Sequence, residues 1–89
     1  MNWDIVFQSV QSIAGMKRDS PHAIVLLRQQ VVASEQVSPA EKVELHAVLD
    51  GLQSANLYGQ ISLVSKLKEI LSRHAEFTAK YAEFGIHRD

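Results

Sequence analysis

Apolar positions recur at helical spacing in four stretches of the chain, with polar residues between them. In the first, Trp3, Val6, Phe7, Val10, Ile13 and Ala14 share one side of a helical wheel, while Asp4, Gln8, Gln11 and Ser12 lie elsewhere. Asn2 is placed to cap this helix, Asp4 suits the positive end of its dipole, and Gly15 followed by Lys17 and Arg18 marks its end. Ser20-Pro21 starts a second helix, with the hydroxyl as cap and the proline at the first helical position, where its missing N–H costs nothing. This helix runs to about Ser34. Its run of Ala23, Ile24, Val25, Leu26 and Leu27, then Val31, Val32 and Ala33, is rich in β-branched residues and resembles two short strands. The start signal and the helical neighbours favour a helix.

Ser38 and Glu41 have the spacing of a capping box, in which each side chain satisfies a backbone N–H left without a helical partner. The third helix they open carries Val43, Leu45, Ala47, Val48, Leu49 and Leu52 and ends near Asn56, with Leu57, Tyr58 and Gly59 as a short connection. Gly51 inside it costs about 1 kcal/mol relative to alanine. The fourth helix is predicted from about Gln60 to Glu83. Leu63, Val64, Leu67, Ile70, Leu71, Ala75, Phe77 and Tyr81 follow one side of it, and Lys66, Glu69, Arg73, Glu76, Lys80 and Glu83 alternate in sign along the other.

Short connections favour antiparallel neighbours, so the pattern predicts an all-α protein, a single helical domain over residues 1–89, built as an antiparallel up-down-up-down four-helix bundle. About 24 residues in the last helix span roughly 36 Å, against roughly 21 Å for a helix of about 14, so the last helix is expected to be the longest and to overhang. The topology gathers Trp3, Phe7, Phe77, Tyr81 and Phe84 at one end and leaves Tyr58 at the other. Those rings form either a core plug or a partner pocket. Helix two adds a second hint. Ala23, Ile24, Leu27 and Val31 can face the core while Val25 and Val32 look nearly opposite, which suits either tolerated exposed valines or a symmetric interface.

Composition narrows the functions. With 46% apolar and 21% charged residues in a chain of 89, the sequence describes one small globular unit. A formal charge of −1 supplies no overall field for gripping nucleic acid or an anionic membrane. Cysteine is absent, which excludes disulfides and thiolate metal sites and suits a reducing, cytoplasmic location. Residues from Met1 to Met16 have no basic start and no uninterrupted apolar run, so they read as part of the fold rather than as a signal peptide or membrane span.

Candidate chemistry is sparse. No activated serine or cysteine appears in a nucleophile context, and the four glycines are too dispersed to cradle a phosphate. No enzyme activity and no cofactor are therefore expected. No two of His22, His46, His74 and His87 are three or four residues apart, and no metal site is expected. His46 and Asp50 pair at i,i+4 and read as a surface hydrogen bond, while His74 falls on the apolar side of its helix and reads as a hydrogen-bonded core histidine. A DNA-reading helix-turn-helix is disfavoured, because helix three carries Lys42 alone among basic residues beside Glu41, Glu44 and Asp50.

What remains is a protein–protein interaction module, a regulator, adaptor or inhibitor of the immunity or phage-accessory kind, acting as a homodimer. Val25 and Val32 would self-associate, Arg28 would orient a carboxylate across the seam, and Phe77, Tyr81 and Phe84 would anchor the dimer or another partner. Two other readings have distinct signatures. A nucleic-acid-associated regulator needs Lys17, Arg18, Arg28 and Arg88 on one face, and a metal or enzyme module needs a pocket joining His46 or His74 to two carboxylates.

Overall fold

The computed structural model describes residues 2–54 and 56–85, with side chains described for all of these except Leu57 and residues 81–85. Among the described residues every regular element is a helix: α1 Trp3–Ala14, α2 Ser20–Ala33, α3 Pro39–Ser54, α4 Leu57–Leu71 and α5 Ala75–Gly85. None of them is long and apolar enough to cross a membrane.

Local chemistry explains most of the boundaries. Asn2 Oδ1 accepts from the backbone N–H of Asp4 at 3.1 Å and of Ile5 at 3.3 Å, capping α1 as the sequence predicts. The far end closes in a Schellman arrangement, with Met16 N–H on the Ile13 carbonyl and Lys17 N–H on the Ser12 carbonyl, both at 3.1 Å. The left-handed position of that turn belongs to Met16, at φ 52°, and not to Gly15, which stays in the right-handed region at φ −83°. The expected glycine stop is therefore displaced by one residue.

Ser20 also departs from its expected role. Its hydroxyl donates back to the Lys17 carbonyl at 2.8 Å and the Ser12 carbonyl at 3.3 Å, serving the end of α1, while the cap position of α2 is Asp19. Pro21 still sits in the first turn, where it needs no partner. α2 is helical throughout, so its β-branched run forms no strand. Asn56 caps α4 by accepting from Gly59 N–H at 2.9 Å, so the predicted 57–59 connection is the first turn of a helix. Gly51 serves close packing: a Cβ there would lie 2.9 Å from Leu63 Cδ1 across the α3–α4 contact.

The largest difference from the sequence pattern lies between α4 and α5. The long helix expected from Gln60 to Glu83 stops at Leu71 and resumes at Ala75. α4 has 15 residues against 16 in α3, so the last helix is not the longest, and the residues expected to overhang start a separate helix packed on α1. No glycine or proline enforces the break. Arg73 and His74 N–H close onto the carbonyls of Ile70 and Leu71 at 3.2 and 3.0 Å, tightening the last turn. Ser72 Oγ adds a second donor to the Lys68 carbonyl at 2.6 Å, beside the Ser72 N–H, and Thr78 Oγ1 reaches back to the Ser72 carbonyl at 2.9 Å.

The break returns Phe77 to the core. Its ring is fully buried and meets Phe7 with centroids 5.9 Å apart. Around them Val6 and Val10 of α1, Leu27 and Val31 of α2, Leu45 and Leu49 of α3, and Leu67 and Ile70 of α4 belong to one apolar cluster. α1 touches α2, α4 and α5, and α3 touches α2 and α4. Val37, in the α2–α3 link, is buried as well, so that connection contributes to the same core.

Replacing Met16 with glycine removes the left-handed strain at the α1 terminus. After the loss of chain entropy, Met16→Gly is expected to stabilise the fold by about 0.5–1 kcal/mol. The urea midpoint should rise with an unchanged slope.

Candidate interaction surface

The outer side of α2 and one side of α3 carry exposed aliphatic residues, and the two helices are joined there by polar contacts. Along α2, Ala23, Ile24, Leu27 and Val31 point inward and are buried, which turns Val25 and Val32 outward. Val25 is 45% exposed and Val32 62%, and from α3 Val43 adds a third aliphatic residue at 70%. Lys42 Nζ donates to the Val32 carbonyl at 3.4 Å, tying the start of α3 to the end of α2 and setting Val43 beside that edge. The sequence pattern places Val43 among the apolar residues of helix three. The wheel could have excluded it from the core, since it lies opposite Leu45, Val48, Leu49 and Leu52, which are the buried ones.

Between the valines, Arg28 crosses from α2 to α3. Its Nη2 donates to Asp50 Oδ1 at 2.7 Å, and its Nη1 lies 3.1 Å from His46 Nδ1. A guanidinium offers only donors, so His46 Nδ1 must accept and the imidazole proton sits on Nε2. The i,i+4 pair read from α3 is therefore a two-pronged receptor for an arginine of α2, and Arg28 is already engaged within its own chain. Asp50 remains mostly exposed.

Phe77 has no part in this surface. As a fully buried residue it packs the core and cannot anchor a partner in this arrangement, because the break after Leu71 folds it inward. The side chains of Tyr81 and Phe84 lie outside the described residues.

His74 occupies a second polar cluster, in the α4–α5 turn rather than midway along a helix. Its Nε2 donates to the Glu41 carboxylate, 3.1 Å from Oε1 and 3.0 Å from Oε2, and its ring stands 5.2 Å from that of Trp3. The two side chains are only 16% and 11% exposed. Ser38 Oγ caps Glu41 N–H at 3.2 Å, which is half of the predicted box, while the Glu41 carboxylate turns to His74. The sequence signal for this was present: Glu41, Leu45, Val48 and Leu52 fall at i, i+4, i+7 and i+11, which places the carboxylate on the core stripe. Nearby, Arg73 pairs with Glu44 at 3.4 Å, and Lys80 pairs with Asp4.

Neither histidine reaches two carboxylates, and among the described residues no three of His, Asp and Glu converge on a metal-sized space. A groove of about 340 Å³ opens at the α1–α2 turn, with Ile13, Ile24 and Leu52 beneath and Lys17 and Arg18 beside it. Neither His46 nor His74 lines it, and Ser20 and Gln60 at its edge already bond to backbone carbonyls. The basic residues divide as well: Lys17 and Arg18 border this groove while Arg28 is paired to α3, and Arg88 lies outside the described residues. No family model matches the chain, and no curated protein or solved structure matches it.

The shielded His74–Glu41 contact should be worth more than its exposed neighbour. A double-mutant cycle with Glu41→Ala and His74→Ala, read by urea unfolding, is expected to show a coupling of about 1–2 kcal/mol. The same cycle on Glu44 and Arg73 should give about 0.5 kcal/mol or less.

Proposed function

We propose that this chain is a non-enzymatic protein-binding module that pairs with a second copy of itself through the outer edge of α2 and α3, serving as a regulator, adaptor or inhibitor in the cytoplasm. The observation that carries the reading is the exposure of Val25, Val32 and Val43 around the Arg28 node. β-branched residues on the water side of a helix lose side-chain freedom without gaining burial, so their placement there is better accounted for if another surface covers them. Contact with a two-fold-related edge would bring Val25 toward the partner's Val32 region and let each chain supply the same patch to the other.

Arg28 fits the centre of such a seam. Two of its five N–H donors serve Asp50 and His46, leaving a planar group able to accept a further carboxylate from across the interface. An up-down antiparallel order of α1 to α4, with α5 returned onto α1, is the arrangement this reading uses. For the α1–α2 pair alone it has support from the Asn2 N–H bond to Gln30 Oε1 at 2.8 Å at one end and from the Ser20 bond to Ser12 at the other.

Sedimentation equilibrium at tens of micromolar tests the pairing. The native chain is expected to populate a dimer, and Val25→Glu with Val32→Glu to weaken it by about 100-fold or more while far-ultraviolet circular dichroism stays unchanged. A strictly monomeric native chain at those concentrations would overturn the homodimer, and loss of helicity in the double variant would assign both valines to folding rather than to binding.

A further inference from the structure

We propose that α5 can be exchanged between two copies of the chain, with α4 and α5 straightening into one helix and α5 seating on α1 of the second copy. The local sequence permits the straight form. Residues 72–74 are Ser, Arg and His, with no glycine or proline, and the apolar positions Leu67, Ile70, Leu71 and Phe77 keep helical register through the turn, with His74 on the same side. Straightening replaces the i→i−3 bonds from Arg73 and His74 with an uninterrupted i→i−4 ladder.

The folded-back form is held by contacts distant in sequence. Phe77 packs on Phe7, Lys80 pairs with Asp4, and His74 lies between Trp3 and Glu41. Every one of these partners belongs to α1 or α3, and a second copy presents the same set in the same geometry. Exchange therefore loses the contacts of Phe77 and Lys80 within a chain and restores them between chains, so the two states differ at the hinge, to which His74 belongs. Length decides who can cover the straightened helix. From Leu57 to Gly85 it would run about 43 Å, whereas the greatest extent of the folded chain is 34 Å. Phe77 would then stand about 30 Å along the straight helix, past the roughly 24 Å of the 16-residue α3 on which α4 packs, and the occupant that fits it is α1 of another copy. A hinge of three residues is short enough to favour this exchange.

This pairing does not depend on the valine edge, and the test keeps the two apart. In the Val25→Glu, Val32→Glu background, Asp4→Cys and Lys80→Cys are placed on separate chains, which is clean because the native chain has no cysteine. The chains are refolded together at high concentration and treated with a short bis-maleimide. A cross-linked heterodimer is expected, and Ala75→Pro should reduce its yield at least tenfold. Proline is tolerated at the first position of α5 but not inside a continuous helix. Absence of the cross-link, or an unchanged yield with Ala75→Pro in a chain of native helicity, overturns the exchange. If Ala75→Pro lowers helicity, insertion of Gly-Gly after Arg73 makes the same decision by relaxing the hinge: a fall in yield supports exchange, and an unchanged yield overturns it.

Discussion

The seating of the α4–α5 turn against Trp3 and Glu41 is the contact on which the rest of the structure depends. His74 donates to a carboxylate that comes from the core-facing side of α3, and its ring lies beside an indole from the first turn of α1. A single imidazole thus ties three parts of the chain that are far apart in sequence. In the folded-back form this seating holds the turn in place, and Phe77 lies inward against Phe7. In a chain of 89 residues, where buried area per residue is scarce, this return supplies a full aromatic ring to the core.

That solution changes what a partner would have to cover. An unbroken last helix leaves its rings beyond the end of the other helices and demands a second surface for them. The broken helix meets that need within one protomer as far as Phe77, and the large apolar side chains exposed among the described residues are Val25 and Val32 on α2, Val43 on α3, Tyr58 and Ile61 on α4, and Met16 in the α1–α2 turn. The Arg28 node joins α2 and α3 through hydrogen bonds rather than packing, so the α2–α3 edge is anchored without burying its valines. The proposed binding role rests on that edge, and the proposed exchange of α5 rests on the hinge; the two draw on different residues.

Individual residues show why some features were readable and others were not. Asn2 and Ser38 cap helices from adjacent positions, so their roles follow from local spacing. The inward set of α2 is readable for the same reason, since periodicity alone separates Leu27 from Val32. Gly15 and Ser20 differ from the local pattern, because the left-handed position falls on Met16 and the Ser20 hydroxyl serves the end of α1 instead of the start of α2. Glu41 carries both a capping signal and a core-stripe position, and only the presence of His74 across the fold decides which its carboxylate serves.

Helix content, the approximate limits of the first three helices and the lack of a conventional nucleophile or phosphate-binding motif are determined by the amino-acid order itself, because they rest on interactions spanning four residues or fewer. The break at residues 72–74, the burial of Phe77 and the joining of Arg28 to His46 and Asp50 were decided only in three dimensions. Local propensity differs little between a bent and a straight helix through Ser-Arg-His, so contacts made by residues tens of positions away set the outcome.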